Sequence, residues 1–261
     1  MSAQKFCDYT VDESGVAVMT INNPPMNTLS QPVLADIRDA IVRANADKAV
    51  RAVVFTGAGK AFIAGAEIRE FLDRNTKKDG AEYLVNGQEV LNLIENSDKP
   101  YIAAINGFCL GGGMETALAC HIRLADETAQ IGLPEIKLGI IPGYGGTQRT
   151  TRLVGKGRAY ELILSGNFIN GKQAELYGAV NRATPKGEVL EEAKKLAKTI
   201  AGKSRVNVSR AMRAIKEGLS MEMTTALKFE RELFGECCES DDKREGTTSF
   251  LEKREAKFTD K

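Results

Sequence analysis

Histidine is almost absent: His121 is the only one in 261 residues. A Ser-His-Asp or Cys-His mechanism would have to use it, and no Gly-x-Ser-x-Gly elbow accompanies it. It follows Cys120 at the start of a β-rich run and reads as structural. The cysteines number five, an odd count, with no Cys-x-x-Cys and with Cys237 and Cys238 adjacent. That argues against a disulfide framework or a zinc site and fits a reducing cytoplasm. Cys109 and Cys120 read as core residues rather than nucleophiles. A surplus of one charge is also missing: 36 Lys+Arg nearly cancel 35 Asp+Glu, for a net +1. A nucleic-acid coat or a polybasic membrane binder would show an excess, so neither partner is expected. The most apolar 20-residue window, 101–120, contains Asn106, Glu115 and four glycines, which makes it a buried segment rather than a membrane span. Residues 1–15 carry acids and polar side chains and no apolar run of a secretory signal. No Gly-x4-Gly-Lys-Ser/Thr occurs, and the glycines of 139–146 lack Gly-x-Gly-x-x-Gly spacing after a strand, so a nucleotide-binding turn has little support.

What is present is an ordinary globular composition, 43% hydrophobic and 27% charged. The length allows one large domain or one domain with a small appendage. Residues 15–21, 50–56, 101–105 and 122–125 read as strands. They alternate with helical patterns at 30–47, where Leu34, Ile37, Ile41 and Ala44 share a face, at 80–97, with Leu84, Leu91 and Ile94 inward, and at 112–119. This order predicts an α/β fold with crossovers. After residue 185 only helices are expected, over 186–201, 204–219, 221–238 and 243–257. We therefore divide the chain into a core, 1–200, and a helical C-terminal region, 201–261. The last 21 residues hold six acids and six bases around Phe250, Leu251 and Phe258, a solvated helix or an oligomer contact.

The chemistry gathers where glycine does: nine of the 25 glycines lie in 101–150. Gly111, Gly112 and Gly113 stand between a strand and a helix, where unpaired N–H groups can receive an oxyanion or simply make a tight turn. Glu115 lies in the apolar stretch just beyond, where burial would raise its pKa; the plainer reading is an acid favoured by the helix dipole. Glu135 sits in a loop between apolar residues after Pro134, and a salt bridge to Lys137 is its plainer role. Two carboxylates in such surroundings are equipment for acid–base chemistry, if they meet in space. The small residues Ala64, Gly65 and Ala66 let a ligand approach the backbone. Lys60 and Arg69 flank them and suit phosphate groups, or are merely solvated.

Together these segments resemble the crotonase (enoyl-CoA hydratase/isomerase) superfamily. The matching text is Ala61-Phe-Ile-Ala-Gly-Ala-Glu-Ile68, then Pro100-Tyr-Ile-Ala-Ala-Ile-Asn-Gly-Phe-Cys-Leu-Gly-Gly-Gly-Met-Glu115, then Leu133-Pro-Glu-Ile-Lys-Leu-Gly-Ile-Ile-Pro-Gly-Tyr-Gly-Gly-Thr-Gln-Arg149, and the tail Phe250-Leu-Glu-Lys-Arg254. The resemblance implies a crotonase-like spiral of ββα units with a helical C-terminal trimerisation region. It implies acyl-CoA thioester substrates, a homotrimer or a homohexamer, and no cofactor beyond the coenzyme A of the substrate. By position it places an oxyanion hole on the amides of Ala66 and Gly112 and catalytic acids on Glu115 and Glu135. Substrate contacts fall on Lys60, Ala64, Ala66, Glu67, Ile68, Arg69 and Gly112, with Phe250 and Lys253 reaching coenzyme A across a subunit interface. Two departures stand out: Glu67 replaces the family's usual aspartate after Ala-Gly-Ala, and His121 replaces the usual aspartate after Cys120, as in some multifunctional β-oxidation enzymes that this region resembles. The implied reaction is syn hydration of a trans-2-enoyl-CoA in fatty acid β-oxidation. Its rivals are a Δ3,Δ2-enoyl-CoA isomerase, an acyl-CoA hydrolase, a non-catalytic RNA-binding member and a purely structural oligomer. Residues 70–90 are expected to shape the acyl pocket.

Overall fold

The computed structural model describes residues 5–261, so the first four residues of the N-terminal stretch lie outside the described ones. The chain begins with a hairpin, β1 (Cys7–Val11) and β2 (Val16–Ile21), and then α1 (Gln31–Ala46). Three strand pairs follow, each leading to a helix. β3 (Ala52–Gly57) and β4 (Ala61–Ile63) lead to α2 (Lys77–Glu95); β5 (Tyr101–Ile105) and β6 (Phe108–Leu110) lead to α3 (Gly112–Ala119); β7 (Ile122–Asp126) and β8 (Gln130–Gly132) lead to α4 (Gly146–Val154). Then come α5 (Lys156–Ser165), β9 (Ile169–Asn170), α6 (Gly171–Tyr177) and β10 (Arg182–Thr184). The C-terminal end is helical: α7 (Val189–Ala201), α8 (Arg205–Gly218), α9 (Met223–Glu239) and α10 (Asp241–Leu251).

Within each pair the two strands join different sheets. The larger sheet runs β1-β2-β3-β5-β7-β10 and the smaller β4-β6-β8-β9. All pairings are parallel except β1 with β2 and β8 with β9. Each turn of the chain thus adds one strand to both sheets before a helix carries it back, which winds a spiral.

β3 and β5 are buried on both faces, and their side chains divide by period two. Val53, Phe55, Tyr101 and Ala103 enter the main core with α1 and α2, while Ala52, Val54, Ile102 and Ala104 face α7. The helix answers with Val189, Ala193, Ala197 and Ala201, small residues at helical spacing that let it lie close to the sheet. α3 is buried along all eight residues, as expected of an apolar helix inside a core. A Cβ at Gly113 would collide with the Ile63 carbonyl, so glycine is what permits α3 to lie against the end of β4.

Two local expectations change. Glu135 lies in a 3₁₀ turn, Pro134–Leu138, rather than an open loop. The last helix is earlier and shorter than 243–257. It begins at Asp241 because Ser240 caps it, its hydroxyl accepting from the Lys243 amide at 3.1 Å. It ends at Leu251, and the tail then folds back with Lys253 at φ 56°. The buried Asp242 carboxylate accepts from the amides of Thr259 at 2.6 Å and Asp260 at 3.0 Å. Asp260 in turn takes a two-pronged bond from Arg51 at 2.7 and 3.1 Å and another from the Arg205 amide at 2.7 Å. Those tertiary bonds replace the helical ones that the local pattern favours. α8 buries none of its residues fully, and Ile215, Leu219, Met223 and Phe234 stand exposed on and around α8 and α9.

Candidate active site

A cavity of about 400 Å³ opens where the ends of β4 and β6 meet the start of α3. Ala64, Ala66, Ile68, Gly112, Glu115 and Glu135 all line it. The 64–66 segment is held by the stretch before α1: the Leu29 amide donates to the Gly65 carbonyl at 2.9 Å, and the Glu67 amide to the Leu29 carbonyl at 2.7 Å. In such a bridge the residue between, Ala66, turns its own N–H to the opposite side. Gly112 is the first residue of α3, with an N–H that no helical carbonyl can reach. Among the described residues neither amide has an acceptor. The two segments touch: a Cβ at Gly111 would lie 3.8 Å from the Gly65 Cα. Gly111 itself has φ 52°, a left-handed value that favours glycine.

Glu115, 2% exposed, projects from the first turn of α3. Its Oε1 accepts from the amides of Tyr144 and Gly146, both at 2.7 Å. Those amides belong to the turn that starts α4, whose cap residue, Gly145, has no side chain to offer. Glu115 therefore caps α4 from outside, and the arrangement fixes one carboxylate oxygen while Oε2 accepts no bond among the described residues. Gly146 must be small here, since a Cβ would come within 2.9 Å of Glu115 Oε1. Burial pushes the Glu115 pKa up to about 7; the Glu135 carboxyl adds to the rise, and the Gly146 and Tyr144 amides oppose it.

Glu135 approaches from the 3₁₀ turn, its Oε1 3.0 Å from where a Gly111 Cβ would stand. Its Oε2 is buried without a hydrogen-bond partner. Burial pushes its pKa up to about 7 as well. Lys137 forms no ion pair with it; the ammonium lies over the Phe168 ring at 5.0 Å. A half-buried carboxyl with one buried, unpartnered oxygen, lining the same cavity as a second carboxyl, is poised to exchange protons near neutral pH.

The rest of the wall is mostly apolar, with Phe71 and Leu84 from the 70–90 stretch and Leu110, Leu138, Ile140 and Ile141, and Thr28 and Lys137 also line it. Other expected contact residues stand outside this lining. Lys60 is exposed between β3 and β4. Glu67 caps the 3₁₀ turn Ile68–Phe71, its Oε1 accepting from the Arg69 amide at 3.3 Å, and Arg69 is exposed. Phe250 and Lys253, both exposed, belong to the C-terminal end and do not line the cavity of their own chain. Sequence reasoning missed the Tyr144 and Gly146 amides; the glycines at 143, 145 and 146 were the available signal. His121 is structural: its Nδ1 accepts from the Tyr101 amide at 3.0 Å, and burial lowers its pKa to about 4. Cys109 and Cys120 are buried free thiols whose pKa burial raises.

A spiral of strand pairs placing two carboxyls and two free amides on one cavity defines a class. The family model described as enoyl-CoA hydratase/isomerase matches residues 12–261, and the chain belongs to that family. It is 43% identical over 251 residues to a crotonyl-CoA hydratase of Syntrophomonas wolfei, covering 95% of this chain and 96% of that one. It is 44% identical to a probable enoyl-CoA hydratase of Bacillus subtilis, covering 93% and 95%. Among solved structures, an enoyl-CoA hydratase from Bacillus anthracis superposes with a TM-score of 0.93 at 34% identity, covering 98% of this chain and 100% of that one. The crotonase-type α/β spiral implied by the sequence motifs, with helices at its C-terminal end, is the fold found.

Proposed function

We propose that this protein is an enoyl-CoA hydratase that adds water reversibly, in syn fashion, to a trans-2-enoyl-CoA to give a 3-hydroxyacyl-CoA. The observation that carries the reading is the pair Glu115 and Glu135, both raised to about 7 and facing one cavity beside two unpaired amides. The thioester carbonyl lies on the N–H groups of Ala66 and Gly112. Water adds its oxygen to C3, and charge builds on the thioester oxygen as the enolate forms. Removing one such donor costs about 2.7–4 kcal/mol in comparable sites. Glu115, with Oε1 pinned and Oε2 free, positions the water and accepts its proton. Glu135, protonated, delivers a proton to C2. The two protons balance, and the carboxyls end with their states exchanged. The thioester and the amides hold the developing charge, so the scheme asks for no metal or redox cofactor.

Ala64, Glu67 and Ile68 contact the acyl-CoA near the thioester, and Lys60 and Arg69 lie toward its phosphates. Phe250 and Lys253 reach coenzyme A bound to a neighbouring subunit of a trimer or of a dimer of trimers. The exposed apolar side chains around α8 and α9 support such an assembly. Among the described residues no helix is long and apolar enough to cross a membrane, and the five thiols are free; a cytoplasmic setting in fatty acid β-oxidation is consistent with both.

Hydration of crotonyl-CoA and longer enoyl-CoAs in ¹⁸O-water tests the reading. Solvent oxygen enters the product of hydration, does not enter that of a Δ3,Δ2-isomerase, and free coenzyme A marks a hydrolase. Undiminished hydration by a Glu115→Gln, Glu135→Gln double variant would reject the assignment.

A further inference from the structure

A second, polar cavity of about 370 Å³ lies between α2 and α4, and Tyr144 is the one residue it shares with the catalytic cavity. Its polar walls are Gln88, Asn92 and Glu95 from α2 and Gln148, Arg149 and Arg152 from α4. Nothing in the hydration scheme uses them. The side chains of Gln88 and Arg149, the latter held by Asn92 and Glu95, however, bond to the turn that holds Glu115.

The Gln88 amide donates to the Gly143 carbonyl at 2.8 Å. That carbonyl and the Tyr144 N–H belong to one planar peptide unit, so holding the oxygen sets the direction of the N–H that Glu115 Oε1 receives. Arg149 Nη1 donates to the next carbonyl, that of Tyr144, at 2.8 Å. Its guanidinium is itself anchored on α2: Nη2 and Nε reach Glu95 Oε2 at 2.7 and 3.2 Å, and Nη2 reaches Asn92 Oδ1 at 3.0 Å. Arg149 also packs where a side chain on Gly145 would stand, and Gly145 has φ 102°. The Gly145 carbonyl is taken by the amides of Gln148 and Arg149 at 3.0 and 2.8 Å, which orients the following Gly146 N–H. Every peptide unit of the turn that donates to Glu115 is thus fixed from its carbonyl side.

We propose that Arg149 and Gln88 are positioning residues for Glu115, acting through the turn of residues 143–146 and never touching the substrate. A guanidinium suits this task, since its planar fork satisfies a carbonyl and two α2 side chains at once. The charged and titratable groups facing Glu115 are Glu135 from the 3₁₀ turn, Arg149 from α4 and the Tyr144 phenol. The role rests on the hydratase reading for its kinetic readout only.

The test uses the full chain with Arg149→Met, Arg149→Lys and the exposed-site variant Gln88→Leu. Two quantities are read: kcat and KM for enoyl-CoA hydration, and the titration of Glu115 by ¹³C NMR of carboxyl-labelled glutamate, assigned with Glu115→Gln. The expected result is a kcat at least tenfold lower in Arg149→Met with KM changed less than threefold. The Glu115 titration moves upward, because loosened N–H donors and a lost cation both disfavour the carboxylate. Arg149→Lys recovers part of both, and Gln88→Leu shows the same shift in smaller measure. If Arg149→Met does not fold, Gln88→Leu and Arg149→Lys carry the test. Variants that melt earlier yet keep kcat and the Glu115 titration of the parent would overturn the proposal. A parent protein inactive on every enoyl-CoA would reject the hydratase reading instead, while the titration still decides the role of Arg149 and Gln88.

Discussion

Two carboxyls that both titrate near 7 across one cavity behave as a coupled pair rather than as two separate acids. The working form carries one proton. Below neutrality both are protonated and no base remains; above it both are ionised and no acid remains. Enoyl-CoA hydration is therefore expected to follow a bell-shaped pH profile centred near 7, measurable in kcat/KM. Replacing either glutamate by glutamine lowers kcat by roughly 10²–10⁴-fold, the range for a lost acid–base group. The same raised pKa has a cost in stability. Glu135 titrates near 7 when folded against an ordinary 4.5, so folding favours its protonated form. That contribution is complete below about 4.5 and is lost as the pH rises through 7. Glu135→Gln should thus unfold at higher denaturant than the parent at pH 8, by on the order of 1 kcal/mol, with the difference closing toward pH 4.5.

At the scale of elements, the site exists because α3 and β4 lie closer together than side chains would allow. Gly113 against the Ile63 carbonyl makes that contact. Gly113→Ala inserts a methyl where there is no room and should cost about 1–3 kcal/mol in urea unfolding. Gly80→Ala, in the first turn of α2 with nothing nearby for a Cβ to meet, is the contrast and should be neutral or gain up to about 1 kcal/mol. The tail is a second such element. Asp260 gathers Arg51 and the start of α8, and Arg51 also donates to the carbonyls of Ala201 and Lys203 at 2.6 and 2.7 Å. Asp260→Ala leaves that half-buried guanidinium without its carboxylate. Faster amide exchange at the start of α8 and in the tail, with α3 unchanged, is the expected outcome.

For the whole molecule, what bears on assembly is the amount of apolar surface left open. Leu72, Ile141, Leu164 and Leu176 stand open on the sheet-bearing part, and Leu219, Met223, Phe234, Phe250 and Leu251 are left open along the helical end. Phe250 is 82% exposed. A lone chain seldom leaves so many large side chains together in water. Analytical ultracentrifugation is expected to find an assembly, a trimer or a multiple of it. Phe234→Glu should shift it toward monomer while the far-ultraviolet circular dichroism is retained; a monomeric parent would remove the basis for coenzyme A contacts from Phe250 and Lys253.

Much of this molecule was legible as text. The long buried strands β2, β3, β5 and β7 and the helices α1 to α3 show their periodicity directly, because burial and backbone spacing act on neighbours in sequence. The two glutamates and the glycine triplet were readable from the apolar company they keep. The strands β4, β6, β8 and β9 were not, since two or three residues are too few to alternate. The early end of α10 was not, because bonds from distant Asp242 and Asp260 outweigh a local helical pattern. Nor could sequence say that Glu115 and Glu135 face one cavity, or that Tyr144 and Gly146 grip the first of them. Those facts depend on which strand joins which sheet and on how closely α3, α4 and the 3₁₀ turn approach. Residue chemistry is written in the chain, but distances between residues far apart in sequence are set only when the core closes around them.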